Sequence, residues 1–120
     1  MLRSSRRYAG GGIGVKQMSG KTKLQPVVKF RDWKCEVWRS EYIHNNRPAL
    51  VLLEVGTGEP ILTATSNLVD EECGSNQTFI KDFAENSGIL EVLIAAGIAK
   101  DTGVRKISGY CSYPLVDVLM

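Results

Sequence analysis

The chain has 120 residues, of which 43% are hydrophobic and 23% are charged, so it is large enough for one globular domain and too short for two. No apolar run approaches the roughly 20 residues of a membrane-spanning helix, which argues against a membrane partner. The three cysteines, Cys35, Cys73 and Cys111, lie far apart without metal-ligand spacing, so they predict reduced thiols in a cytoplasmic protein rather than a zinc site or a disulfide framework.

Charge is distributed unevenly along the chain. Residues 1–25 contain six Lys or Arg residues and no acid, whereas the rest contains nine Lys or Arg residues and all 13 acids. The glycines at 10–12 and 14 break any helical pattern, so residues 1–25 are predicted to be a disordered basic tail before a single domain over residues 26–120. The tail could be a mitochondrial presequence, a phosphate-binding arm or an extension upstream of a start at Met18, and we favour the extension.

The first half of the domain has the period of β-strands. After a short strand at 27–30, residues 33–43 alternate, with Cys35 and Val37 on one face and Trp38 and Tyr42 on the other. The HNNR sequence at 44–47 predicts a turn, and the apolar run after Pro48 predicts a central strand with two buried faces. A third strand at 61–68 follows a second turn, and three strands with short connections predict an antiparallel meander.

A helix is predicted in the second half of the domain. Its buried face comprises four aliphatic residues, Ile89, Leu90, Leu93 and Ile94. Asn86 or Ser87 can cap the first turn, and Gly97 fits the left-handed residue that ends the helix. Closing strands at 104–107 and 110–119 follow, with Pro114 marking an edge or a break. The expected fold class is α+β, an antiparallel sheet of about five strands with one helix of about ten residues packed on one face.

No pattern of catalytic residues emerges from the sequence. His44, the single histidine, lies in a predicted turn without a nucleophile near it, so no catalytic residue, metal ligand or cofactor is predicted and an enzyme is disfavoured. Five acids flank the loop before the helix: Asp70, Glu71, Glu72, Asp82 and Glu85. They lack the glycine and spacing of a calcium-binding loop, so a solvated acidic surface is the simplest interpretation.

Two groups of residues are candidate binding sites. The first precedes the helix and comprises Lys81, Asp82, Phe83 and Glu85, which the helix pattern leaves unexplained. These residues could form a local ion pair, an anion site at the helix start or a surface for a partner. The second comprises Trp38 and Tyr42, which could pack across strands, stack on single-stranded nucleic acid or form a protein-binding patch.

Several short pieces of sequence occur in a distinctive order: GEP at 58–60, TATSNL at 63–68, IKDFAENSG at 80–88, AGI at 96–98, TG at 102–103 and SGY at 108–110, followed by Pro114. In this order and spacing the chain resembles a family of small domains of unknown function found in bacteria, their phages and mobile elements. The resemblance covers roughly residues 33–119 and implies an intracellular bacterial or phage setting. It implies no catalytic or binding residue, because the family has no established activity.

The leading hypothesis is a small non-enzymatic binding or accessory protein of bacterial or phage origin, acting through contact with a host protein, for example as an anti-defence factor. One alternative is a nucleic-acid-binding module that uses the basic tail with Trp38 and Tyr42, and it predicts salt-dependent binding. The other is a small ligand-binding domain or enzyme with its site at the loop over residues 70–86, and it predicts a concave pocket lined by Asp82 and Glu85. The sequence predicts no oligomeric state.

Overall fold

The computed structural model describes residues 18–120, and side chains from residue 21 onward. Its elements in chain order are β1 (Met18–Phe30), β2 (Trp33–Tyr42), β3 (Pro48–Glu54), β4 (Pro60–Thr63), β5 (Thr65–Ser66), β6 (Gln77–Ile80), a 3-10 helix (Ala84–Asn86), the α-helix α1 (Ile89–Ala95), β7 (Ala99–Ser108) and β8 (Cys111–Val118). Among these residues no helix has the length and apolar character needed to cross a membrane.

The strands form two four-stranded sheets. The broad prediction of antiparallel sheets with a helix is confirmed, whereas a single sheet of about five strands with the helix on one face is wrong. The first sheet has the order β1-β2-β3-β4 and the second has the order β5-β6-β8-β7, with antiparallel neighbours throughout. The sheets meet at Ala64, whose N–H donates to the Leu50 carbonyl and whose carbonyl accepts from the Lys81 N–H, both at 2.8 Å. The strand predicted at 61–68 is therefore divided, because its first part pairs with β3 and its second with β6.

The start of the first sheet lies earlier in the chain than the sequence predicts. β1 begins at Met18, within the segment expected to be a tail. Its pairing with β2 shifts between Lys23 and Val27, and the interruption contains Pro26, which has no N–H to donate to a neighbouring strand. The predictions of a presequence, a phosphate-binding arm or disorder for the first part of the tail concern residues 1–17, which lie outside the described residues.

The helix lies between the two edge strands β1 and β7 and contacts both. Its core side chains are Ile89, Leu90 and Leu93, whereas Ile94 is 41% exposed and does not belong to the buried face, contrary to the prediction. The predicted stop is confirmed: Gly97 has φ 76°, and the Ile98 N–H donates to the Leu93 carbonyl at 3.0 Å. With seven residues, α1 is shorter than the helix predicted and depends on packing against the sheets.

Arg39 ties the first sheet to the segments that flank β6 and β8. From the middle of β2, its guanidinium donates to the Asn76 Oδ1 and to the Met120 carbonyl, each at 2.8 Å, and a third contact of 3.3 Å reaches Glu41. The Val118 N–H donates to the Asn76 carbonyl at 2.7 Å, so the end of β8 and the turn before β6 are held together. Arg39 therefore connects these two segments to the opposite sheet.

Thr78 of β6 is fully buried, and among the described residues its hydroxyl is the one buried side-chain group without a hydrogen-bond partner. Thr78→Val removes this unsatisfied hydroxyl at nearly constant shape, so we expect the free energy of unfolding to rise by about 1 kcal/mol. The matched control is Thr65→Val, because the Thr65 hydroxyl bonds to Tyr42 at 2.9 Å and accepts from the Leu50 N–H at 3.3 Å. Urea denaturation should show opposite signs for the two variants; losses of equal size would contradict the prediction.

Candidate functional site

The side chain of Asp82 caps the start of α1, although Asp82 is not next to the helix in sequence. Its Oδ1 accepts hydrogen bonds from the N–H groups of Gly88 at 2.9 Å and Leu90 at 3.2 Å. Gly88 occupies the N-cap position with φ 98° and has no side chain that could cap the helix. The 3-10 helix lies between Asp82 and Gly88 in the chain. The predicted caps are wrong: Asn86 is buried and donates to the Thr63 carbonyl at 2.9 Å, and the Ser87 side chain makes no hydrogen bond to the helix start.

Replacing Asp82 should therefore weaken the helix. For Asp82→Ala we expect a loss of about 1 kcal/mol in the free energy of unfolding, because two N–H groups at the helix start lose their acceptor. Asp82→Asn keeps an oxygen at the same place and should lose less. Asp70→Ala removes an exposed carboxylate from the preceding loop and serves as the control. Thermal or urea unfolding provides the measurement, and equal stability of Asp82→Ala and Asp70→Ala would contradict this role.

Of the other three residues of this candidate site, Lys81 contacts both Phe83 and Glu85. The Lys81 Nζ lies 3.8 Å from the Glu85 carboxylate and 5.8 Å from the centroid of the Phe83 ring. Phe83 packs edge-to-face against Tyr113 of β8, with ring centroids 5.4 Å apart and an interplanar angle of 82°. The structure thus brings Lys81, Phe83 and Glu85 together, and it places them beside the hairpin formed by β7 and β8.

That hairpin extends beyond the buried core of the domain. Its base is buried at Ala99, Leu115 and Val116, whereas residues 103–112, here named the β7–β8 arm, are exposed or half-exposed. Three large hydrophobic side chains of the arm face solvent, namely Val104 at 42%, Ile107 at 73% and Tyr110 at 107% relative exposure. The prediction of closing strands at 104–107 and 110–119 did not include this exposure, although apolar residues on both sides of the turn at Gly109 were the available signal.

Three cations near the arm are each paired with an acid. Lys81 pairs with Glu85, Lys106 of the arm lies 3.6 Å from Glu71, and Arg105 forms a two-pronged pair with Asp101 at 2.9 and 2.8 Å. Hydrogen bonds from Arg105 and from the Gly103 N–H lower the pKa of Asp101 from 3.8 to about 2. These three cations therefore add little excess positive charge to the surface around the arm.

The Asp101 pair should make stability depend on pH in the acid range. The pKa of Asp101 is lower in the folded than in the unfolded protein. The stabilisation that its ionised carboxylate provides is therefore fully present above pH 3.8 and is lost as the pH falls towards about 2. The two side chains are 28% and 42% exposed, so Asp101→Asn should cost less than about 1 kcal/mol near neutral pH. Urea denaturation near neutral pH and near the lower pKa tests this: the difference from the natural protein should shrink in acid, and a constant difference would contradict it.

Trp38 and Tyr42 do not join this site. Tyr42 is 5% exposed, its hydroxyl bonds to Thr65 at 2.9 Å, and burial raises the pKa of its phenol. Trp38 is half-buried and its Nε1 donates to the Glu36 carboxylate at 3.1 Å. Both residues lie on the face of β2 opposite Cys35 and Val37, as predicted, but that face is packed at Tyr42 and the ring is not available for base stacking.

Glu85, but not Asp82, lines a cavity beside the loop over residues 70–86. A cavity of about 140 Å³ lies at the end of the first sheet, lined by Phe30, Arg31, Trp33, Ile61, Leu62, Glu85 and Asn86, without Asp82. Within residues 18–120 no group of three or more His, Cys, Asp or Glu side chains could hold a metal ion. His44 is exposed in its turn.

Comparison of the chain with protein-family models, with curated proteins and with solved structures gives no match. The functional interpretation therefore depends on the surfaces described above.

Proposed function

We propose that the protein is a small non-enzymatic binding protein that acts through protein–protein contact, with the β7–β8 arm as the central part of its contact surface. The observation that carries the proposal is the exposure of Ile107 and Tyr110 on a hairpin that extends past the core. These side chains add nothing to the buried core, so the fold gives no reason for their position. Aromatic and large apolar residues at the centre of an interface supply most of its binding energy.

The charges around the arm favour a protein over a nucleic acid as partner. Lys81, Arg105 and Lys106 are each neutralised by an acid, whereas affinity for nucleic acid comes mainly from cations free to contact phosphates. The nucleic-acid alternative also needs Tyr42, whose ring is buried. Phe83 packs on Tyr113 and extends the apolar surface from the arm to Lys81 and Glu85. The proposed contact surface therefore includes part of the candidate site.

The setting of this activity follows from the family resemblance. We infer that the partner is a host protein in the cytoplasm of a bacterial or phage-infected cell, and that the protein acts as an accessory or anti-defence factor. The arm would supply the contact, and the two sheets with α1 would hold its base rigid.

Site-specific photo-crosslinking tests the proposal. A photoreactive phenylalanine is placed at Tyr110 in the full chain expressed in bacteria, with the same residue at Ile43, which is 58% exposed at the β2–β3 turn, as the control position. The protein crosslinked only from position 110 is then purified and titrated by calorimetry. We expect Ile107→Ser combined with Tyr110→Ser to weaken binding at least about tenfold while thermal unfolding stays unchanged.

Two results would overturn the proposal. The first is the same set of crosslinked proteins from positions 110 and 43, because it would show that the arm makes no specific contact. The second is a purified candidate that binds the double variant as tightly as the natural protein. Crosslinking of nucleic acid from position 110 would support the nucleic-acid alternative instead.

A further inference from the structure

A groove runs along the exposed edge strand β1. One open hollow of about 370 Å³ is lined by Val27, Val28, Lys29, Asp32 and Lys34, and a second of about 290 Å³ is lined by Val27, Val28, Lys29, Val92, Ala95 and Ala96. The two hollows share three residues of β1 and adjoin each other along this strand. The first is bounded by Asp32 and Lys34 and the second by α1, and together they are here named the β1 groove. Its floor is aliphatic, and Val27 is 48% exposed within it.

Two lysines of the β1 groove repel each other across the strands. Lys29 and Lys34 are direct cross-strand partners, and like charges in this arrangement destabilise a sheet. Within residues 18–120 neither lysine has an ion pair, and Asp32 in the intervening turn is the only acid that lines the groove. A partner that brings negative charge to this place would relieve the repulsion.

The lining of the groove identifies the chemistry of that partner. None of its residues is aromatic, so a nucleic acid would find no platform for base stacking, whereas the valines and alanines suit aliphatic side chains. β1 is the first strand of its sheet, and such an edge can pair with an added extended strand. Exposed lysines on an edge strand disfavour edge-to-edge pairing with a second copy of the chain.

We propose that the β1 groove binds an extended acidic peptide segment that carries aliphatic side chains. The acids of the segment contact Lys29 and Lys34, and its aliphatic residues cover Val27 and the exposed side of α1. None of the residues that line the groove belongs to the β7–β8 arm, so the two surfaces are distinct. The inference therefore stands independently of the proposed function.

Selection from a random-peptide display library on the immobilised full chain tests the proposal. The enriched peptides are labelled with fluorescein and titrated by fluorescence anisotropy against the natural protein and its variants. We expect enrichment of Asp and Glu interspersed with aliphatic residues, and a loss of affinity of at least about fivefold in Lys34→Glu. Lys100→Glu is the matched control, because it makes the same charge change at an exposed lysine on β7, an edge strand of the second sheet, and should leave the affinity unchanged.

Each alternative occupant gives a different result. Selected peptides without acid enrichment would overturn the proposal. Equal losses of affinity in Lys34→Glu and Lys100→Glu would also overturn it, because the groove would then add nothing beyond overall charge. Binding that depends on Ile107 and Tyr110 would move the peptide site to the arm and would also overturn it. Oligothymidylate that competes with the selected peptides and loses affinity in Lys34→Glu would show a phosphate-binding surface, and a dimer dissociated by Lys34→Glu would show a contact between copies.

Discussion

Leu93→Ala is expected to lower the free energy of unfolding by about 3 kcal/mol, because it leaves a cavity where α1 packs on the sheets. Leu93 is fully buried and belongs to the main core cluster, together with Val28 of β1 and Ala99 of β7. A seven-residue helix has almost no stability of its own in water, so its position between the two edge strands depends on such contacts. Urea denaturation with an unchanged m-value gives the measurement.

Ile94→Ala is the matched control for this prediction. It lies next to Leu93 on the same helix and undergoes the same change to alanine, but it is 41% exposed, so we expect a loss of about 1 kcal/mol or less. The apolar pattern of the sequence places both residues on the buried face. Equal losses of stability in Leu93→Ala and Ile94→Ala would therefore support the buried face that the sequence pattern predicts and would contradict the observed packing.

Arg39→Ala is expected to cost about 2 kcal/mol, since it removes charge-assisted hydrogen bonds to Asn76 and to the Met120 carbonyl. The effect should be local as well as global. The N–H groups of Val118 and Leu119, which donate to Asn76 and Ile98, should exchange with solvent faster relative to the rest of the second sheet. Hydrogen exchange followed by NMR, together with urea denaturation, measures both effects.

Two comparisons separate the geometry of Arg39 from its charge. Arg39→Lys keeps the charge but lacks the planar fork that reaches both acceptors, so we expect it to recover only part of the loss. Arg105→Ala removes an arginine from a surface pair and should cost less than about 1 kcal/mol. A full recovery with lysine, or unchanged exchange at Val118 and Leu119, would show that Arg39 does not hold these segments through directed hydrogen bonds.

The elements that the sequence predicts well are those defined by local patterns. Alternation over 33–43 predicted β2, the apolar run after Pro48 predicted the doubly buried β3, and Gly97 predicted the end of α1. In each case the signal and the structure it specifies lie within a few residues. The same holds for the faces of β2, where Trp38 and Tyr42 lie opposite Cys35 and Val37.

The features that the sequence does not predict depend on contacts between distant segments. The division of the strand at Ala64 leaves the local alternation intact, because it reflects different partners on the two sides. Asp82 reaches the helix start across the 3-10 turn, and the usual capping pattern considers only the residues next to the helix. Pro114 lies in β8, which is an interior strand, but β6 pairs only with residues 115–117, so the proline faces no second neighbour.

The same difference between local patterns and distant contacts explains why only part of the candidate site was predicted. Lys81, Phe83 and Glu85 are close in sequence and proved to be close in space. Their association with Tyr113 and the arm comes from the pairing of β6 with β8, which no local pattern encodes. Burial of Tyr42 likewise follows from its contact with Thr65 of the other sheet.

The projection of the β7–β8 arm beyond the core also has an evolutionary consequence. Because Val104, Ile107 and Tyr110 contribute little to the interior, mutations there meet little selection for folding. The tip can therefore change rapidly while the scaffold stays constant. A lineage that faces a changing set of partners would be expected to accumulate its sequence variation in this hairpin.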